Sequence, residues 1–513
     1  MNFHRESSKE AYDVIVIGAG LGGLSAAALL ARSGKSVLVI ERHDRPGGYA
    51  HFFKRKQYTF DSGVHLISGC QNRGFKGGQA IHRILDALGV MNKIEFISVD
   101  PYTRAVFPDF SVEIPQQLES FVTTHAKIFP EETEGLRRLT KVCLRLCEEA
   151  TIADQTFADG GAITEKIPTF LHYRRTTLTE GLDEFIDNPR LKAIISTLWP
   201  YLGLPPSKLS FLYWTIMFIG YTVDGAYYCK GSFQNLANVL VNSLQASGGE
   251  ILYKIGAKRI DVEHAKVKGV TLDNGQRISA PIVISNADAR QTIHSLVGTK
   301  NLPDQFLRQM DNLKPSISAF VVYIATDLDL REVCTTHESF YFQNFDHEQN
   351  FADTLAGNIT WISITVPTLV DPSLAPKGHH LLMLTTLVPY DVGESWRSCK
   401  DRFSKTMLDI AERQIPGLKQ HILFIEAGSP RTMERYTLND MGAAYGWEVS
   451  PNQIGPGRLG NQSPLAGLFF SGHWTEPGGG VYAVCVSGIK TAQLVLGLSR
   501  EKQLWERLES QTG

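Results

Sequence analysis

The residues best spaced to do chemistry lie near the start of the chain. Gly18, Gly20 and Gly23 form a G-x-G-x-x-G array, and Glu41 follows. In such an array the first glycine permits a tight turn and the second lets backbone approach a pyrophosphate. The third lets a helix lie close on a strand. A carboxylate at Glu41 can accept hydrogen bonds from a ribose diol. These roles require flanking elements that hold the glycines in place. DVIVIG is a short β-branched run, LSAAALLARSG is a helix of small residues stopped by Gly34, and KSVLVIE is a second strand ending at Glu41. That context predicts a dinucleotide site, where a glycine turn alone would not.

Two further segments carry glycines that a plain turn does not explain. Arg45-Pro46-Gly47-Gly48 follows Glu41 directly, and YTFDSGVHLI comes soon after. Near the other end, GLFFSGHWTEPGGGVYAVCVSGIKTAQLVLG predicts a last strand, a loop through Gly478-Gly479-Gly480, and a helix of small residues. Backbone amides at such a helix start favour negative charge. No second G-x-G-x-x-G stands between a strand-like run and a helical one, so a separate nicotinamide domain is not expected.

Arg45-Pro46-Gly47-Gly48 resembles the extended fingerprint of FAD-containing oxidoreductases. GAGLGGLSAAALLARSG, ERHDRPGG, YTFDSGVHLISG, ISNADA and GHWTEPGGGVYAVCVSG together resemble the phytoene desaturase, carotenoid isomerase and retinol saturase superfamily. The resemblance spans nearly the whole chain. It implies a Rossmann-like α/β FAD-binding domain of the amine-oxidase type, with a discontinuous α+β substrate domain. It implies FAD contacts at Gly18, Ala19, Gly20, Gly23, Leu24, Glu41, Arg42, Gly47, Gly48, Gly63, Val64, Ala257, Gly472, His473, Gly480 and Val481. One position departs from the family: Gly472-His473 stands where members usually carry Gly-Asp, whose Asp contacts the ribityl chain. His473 either takes over that contact or is a solvent-facing loop histidine. His65 is a catalytic candidate beside the flavin, with a structural histidine as the alternative. No other catalytic residue is assigned, and no metal is expected.

The chain has 513 residues, more than one simple core requires. Strand–helix alternation marks 1–100, 230–300 and 431–513 as the FAD domain, and 101–229 and 301–430 as the substrate domain. The first substrate segment is rich in helical patterns (LESFVTTHAKIF, TEGLRRLTKVCLRLCEEA, LDEFIDNPRLKAIISTLWPYLGL). The second contains strand-like runs (SISAFVVYIAT, NITWISITVP, HHLLMLTTLVP) whose face could line a cavity. Asp273-Asn274-Gly275 predicts a tight hairpin. His379-His380 lacks ligand spacing and is taken as structural. Cys143 and Cys147, one helical turn apart, are assigned to an apolar helix face rather than to a metal.

Lysine plus arginine (51) nearly balances aspartate plus glutamate (53), so no basic field is available for nucleic acid. The leader MNFHRESSKEAYD lacks an apolar segment, the longest apolar run (FLYWTIMFIGY) is too short to span a bilayer, and seven cysteines carry no CxxC. These features predict a reducing, cytoplasmic setting, with peripheral membrane contact left open. A polyene or isoprenoid lipid, the substrate class the resemblance implies, offers little to hydrogen-bond and needs a long apolar channel. Trp199, Phe211, Tyr213, Trp214, Met217, Phe218 and Tyr221 are the material for it, or ordinary core. A carotenoid isomerase or desaturase is the leading expectation. The alternatives are a retinol saturase-like reductase, an amine oxidase whose aromatic cage would use Tyr445 and Trp447, and a non-enzymatic prenyl-lipid carrier. The electron partner is left open.

Overall fold

The computed structural model describes residues 5–74, 79–157 and 164–510. Met1–His4 of the leader lie outside them.

The first layer is a five-stranded parallel sheet. Val14–Ile17 lies at its centre, between Val37–Glu41 and Ile282–Ser285. Glu250–Tyr253 and Leu468–Phe470 form the edges. All-parallel sheets are buried on both faces, and the β-branched run VIVI obeys this, each residue being at most 6% exposed. Alternation along it sorts the faces. Val14 and Val16 point to the helices, whereas Ile15 and Ile17 point to a three-stranded antiparallel sheet of Ala257–Glu263, Lys266–Leu272 and Arg277–Ser279. The Asp273-Asn274-Gly275 turn joins the last two of these strands, with Gly275 at φ +89°.

Three helices cover the other face: Leu21–Arg32, Gln234–Ala246 and Val481–Val495. The first and last cross closely because glycine and serine meet at the crossing. A Cβ on Gly488 would sit 2.7 Å from the Gly22 carbonyl and 2.6 Å from the Ser25 Cβ. This crossing brings the two ends of the chain together.

The second layer is a seven-stranded mixed sheet. Its order is Ile422–Gly428, Ser318–Thr326, His380–Val388, Trp361–Thr365, Glu338–Phe342, Thr103–Phe107, Phe110–Ile114. All neighbours are antiparallel except Glu338–Phe342 with Thr103–Phe107. Period-two alternation again divides the faces. Phe320, Val322, Ile324, Leu382 and Leu384 pack under the helix Trp396–Gln414 through Phe403, Met407 and Ile410. Ala319, Val321, Tyr323, Phe340, Ser363 and Leu387 face a cavity.

The hairpin Thr103–Ile114 adds two strands to a first substrate segment expected to be rich in helices. Its TRAVF and FSVEI alternate apolar and polar residues, and a neighbouring edge from residues 338–342 completes the pairing. Helices Leu118–Ile128 and Thr133–Phe157 follow. Cys143 and Cys147 are buried on the second of these, against Thr215 of the helix Phe211–Ile219. No helix among the described residues is long and apolar enough to cross a membrane.

Candidate active site

Both glycine arrays and the C-terminal loop open on one cavity of about 1980 Å³. The turn after the first strand is fixed by backbone. Gly18, at φ +94°, donates its N–H to the Ile40 carbonyl at 2.8 Å. The Ala19 N–H donates to Glu41 Oε2 at 2.7 Å, and the Gly47 N–H donates to the Ala19 carbonyl at 2.7 Å. The two arrays are therefore laced to each other. A second Glu41 oxygen accepts from the His43 N–H at 2.7 Å. Burial raises the Glu41 pKa, and these backbone donors oppose the rise.

The helix Leu21–Arg32 begins after Gly20 without a side-chain cap, and the helix Val481–Val495 begins the same way after Gly480. Uncapped first-turn N–H groups leave partial positive charge for an anionic ligand. Side chains are excluded between the arrays: a Cβ on Gly20 would meet Asn286 Oδ1 at 2.6 Å, and one on Gly22 would meet Gly472 Cα and N at 2.8 Å. Asn286 Oδ1 is buried and has no partner among the described residues. Uncapped helix starts, close glycines and an acidic residue at the second strand end form a cradle that fits a dinucleotide.

Of the residues expected to hold it, Gly18, Gly20, Glu41, Arg42, Gly47, Gly48, Gly63, Val64, Ala257, Gly472, His473, Gly480 and Val481 line the cavity, as does His65. Ala19, Gly23 and Leu24 do not. Ala19 and Leu24 are fully buried behind the wall, where Ala19 serves through its N–H. A Cβ on Gly23 would meet the Gly18 carbonyl at 2.6 Å, which makes it the packing glycine of the array.

His473 faces the cavity, with its ring centre 6.0 Å from that of Tyr49. Burial, with the nearby Arg458 charge, pushes its pKa down to about 3, so it is a neutral imidazole. Arg458 was not foreseen from sequence. It is 2% exposed and donates to the carbonyls of Trp447, Glu448, Gln453, His473 and Thr475, which clamps the His473 loop.

The far end of the cavity is walled by the second sheet and the Phe211–Ile219 helix. The aromatic run divides there. Tyr213, Met217 and Tyr221 line the cavity, whereas Trp199, Phe211, Trp214 and Phe218 are core. Tyr445 lines it, but Trp447 does not. Trp447 is fully buried, donates Nε1–H to the Trp474 carbonyl at 2.8 Å and packs edge-on against Trp474. The pair therefore cannot form the amine-oxidase cage that the sequence allowed. His379 and His380 are structural, contacting the Tyr58 hydroxyl at 3.1 Å and the Thr368 hydroxyl at 3.0 Å.

His65 heads an unforeseen polar cluster. Its Nδ1 lies 2.6 Å from Thr365 Oγ1, which donates to Glu338 Oε1 at 3.2 Å. Tyr201 donates its hydroxyl to the other Glu338 oxygen. Burial, together with His337, pushes the His65 pKa down to about 3. Burial pushes Glu338 up to about 7 against the Tyr201 and Thr365 hydrogen bonds. The residues of this cluster lie far apart in sequence.

A family model for flavin containing amine oxidoreductases matches residues 21–496. The chain belongs to that family. Its members are flavoenzymes, and the cofactor here is FAD. Prolycopene isomerase 1 of an Oncidium hybrid cultivar is 28% identical, with 96% of this chain and 85% of that protein aligned. Human all-trans-retinol 13,14-reductase is 25% identical over 92% of this chain and 83% of that protein. An oxidoreductase from Methanosarcina mazei has the same fold, with a TM-score of 0.63 at 18% identity, covering 94% and 99% of the two chains.

Proposed function

We propose that this FAD enzyme acts on a long polyene lipid, as a carotenoid cis–trans isomerase or desaturase. One observation carries the reading: the cavity continues from the dinucleotide cradle into an apolar chamber. At about 1980 Å³ it is twice the ~1000 Å³ upper range of single-ligand pockets, so it has room for cofactor and lipid together. The chamber walls, Tyr213, Met217, Phe340 and Leu387 among them, suit a substrate held by apolar burial. FAD, when bound, supplies two-electron chemistry at its ring.

The chain's own residues bind, orient and exclude water. Glu41 holds the ribose, and the backbone around Gly20 and Gly48 holds the pyrophosphate. Gly472, His473 and Gly480 meet the flavin end, where neutral His473 can hydrogen-bond the ribityl chain without acting as a cationic acid. We assign residues 1–100, 230–300 and 431–513 to the FAD-binding domain, and 101–229 and 301–430 to the substrate domain. The chamber wall at Ala150, Phe170 and Ile216 reaches the surface: Ile216 is itself 36% exposed, and Ile152, two residues after Ala150, is 37% exposed. These would meet a membrane surface from which the lipid enters.

The similarity to retinol 13,14-reductases supports a second reading, reduction of a retinoid double bond. Anaerobic incubation with a poly-cis carotene, phytoene and retinol, with flavin oxidised in one arm and reduced in the other, separates the readings. Conversion to a geometric isomer without net redox change marks the isomerase. Bleaching of oxidised flavin by phytoene marks the desaturase, and loss of a retinol double bond marks the reductase. Conversion of none of the three overturns the proposal.

A further inference from the structure

Glu338 is a carboxyl group of a kind that structure alone rarely explains. It is 0% exposed, yet among the described residues no lysine or arginine pairs with it. Its nearest basic group is His65, at 3.8 Å. Leaving a carboxylate in such a place is unfavourable, and an apolar residue of similar volume would serve stability better. Instead the protein gives it one hydroxyl for each oxygen, Thr365 at 3.2 Å and Tyr201. Tyr201 retains partial exposure and lines the cavity, its ring edge-on to Phe340 at 5.6 Å. At the other end Thr365 leads to His65, which also lines the cavity. Tyr201, Glu338 and His65 thus all border the cavity, and fully buried Thr365 joins the last two.

We propose that Tyr201 and Glu338 form a proton-exchange pair for the polyene, with Tyr201 the catalytic residue and Glu338 the proton store behind it. The inference rests on the polyene reading above. With Glu338 protonated, its O–H donates to the Tyr201 oxygen and the Tyr201 O–H turns to the polyene; in the forward step a C–H bond forms at one end of a conjugated double bond as that Tyr201 O–H bond breaks. The Glu338 carboxyl proton passes to the phenolate oxygen. A carboxylate and a delocalised carbocation result, and the lowered bond order permits rotation. Reversal returns a proton from carbon to Tyr201 and from Tyr201 to Glu338. Electrons are neither gained nor lost, so the outcome is isomerisation without an oxidant. Thr365 and His65 are positioning residues that hold the carboxyl in register.

The other titratable groups facing Glu338 do not change charge near neutrality. Burial lowers His65 to about 3 and His337 to about 4, and it raises Tyr201, Tyr221 and Tyr445. Glu338 alone, raised to about 7, titrates there. Activity needs its protonated form, so the rate falls as pH rises through about 7.

The test is isomerisation of a poly-cis carotene by the FAD-loaded protein in anaerobic D2O, with mass analysis of the product. Wild type should place solvent deuterium in the isomerised carotene. Glu338→Gln and Tyr201→Phe should each lose about 100-fold or more in turnover and in deuterium incorporation, with flavin absorbance unchanged. The pH dependence near 7 should vanish from the residual Glu338→Gln activity. Should Glu338→Gln lose its flavin, Tyr201→Phe decides alone. Wild-type isomerisation without deuterium, or a flavin-loaded Tyr201→Phe within threefold of wild type, overturns the inference. A wild type that converts no polyene overturns the substrate reading, and this inference with it.

Discussion

Gly22→Ala tests the joint between the two ends of the chain. The added Cβ would stand 2.8 Å from Gly472 Cα and N and 3.1 Å from the Val484 carbonyl, where ordinary contact begins near 3.4 Å. The shortfall is about 0.6 Å, and every atom met is backbone, so no side chain can rotate away. Overpacking of this kind costs ~1–3 kcal/mol. Gly22 lies inside the helix Leu21–Arg32, where alanine is favoured over glycine by ~1 kcal/mol, and this offsets part of the cost. The net is a destabilisation of about 1 kcal/mol, and of about 2 at most. Strain relieved by pushing the Gly472–His473 loop outward would fall on the cofactor, since 1.4 kcal/mol is about tenfold in affinity. Titration of apoprotein with FAD should therefore show binding weakened by about tenfold, with a lowered melting temperature for the apoprotein. A Gly22→Ala protein as stable as wild type, with undiminished FAD affinity, would refute the close approach.

Met217→Glu places a carboxyl in the apolar chamber away from the dinucleotide cradle. Polyene turnover should fall at least tenfold while the flavin spectrum stays unchanged, and loss of flavin instead would contradict the spatial separation. Fully buried His125, and His347, whose pKa values burial lowers to about 4, should make stability depend on pH. Between pH 6.5 and about 4 the unfolded chain takes up protons that these folded histidines refuse, so stability is full above 6.5 and falls on acidification. Asp61 and Asp288, raised to about 6 by burial, act in the opposite sense. Glu338, raised to about 7, adds to them, but His65, His337 and His473, lowered by burial to about 3, 4 and 3, outweigh the three carboxyls, so melting temperatures over that range should fall, and a flat or rising series would contradict the histidine burial. Changing Ile152 and Ile216 together to Glu should reduce co-flotation with liposomes severalfold at unchanged melting temperature. Equal flotation would remove these residues from any membrane contact.

Where the signal was local, the sequence was legible. The G-x-G-x-x-G turn, Glu41 and the Asp-Asn-Gly hairpin each depend on neighbours within a few residues, and each stands where its pattern predicted. The C-terminal glycines were legible through a resemblance, and their closeness to the first array follows from small residues at Gly22, Ser25 and Gly488. The Thr103–Ile114 hairpin is not legible in the sequence because its alternation is short and its partner strand begins at Glu338, more than 200 residues later. Arg458 and Glu338 carried no local signal. A lone arginine between glycines and a lone glutamate in CTTHESFYF look like ordinary surface residues. Only the fold shows that one clamps five carbonyls and the other is buried between Tyr201 and Thr365. The aromatic run shows the same limit: its composition permitted a channel, but which side chains face the cavity depends on helix orientation, and of the seven named only Tyr213, Met217 and Tyr221 do.

On the proposed reading, both ends of the chain hold one FAD beside an apolar chamber. The most direct measurement is the anaerobic difference spectrum of the purified protein's flavin on addition of a poly-cis carotene. One FAD per chain and a saturable shift of the flavin bands are expected, because the lipid displaces water beside the ring. A colourless protein, or a flavin spectrum indifferent to the carotene, would contradict it.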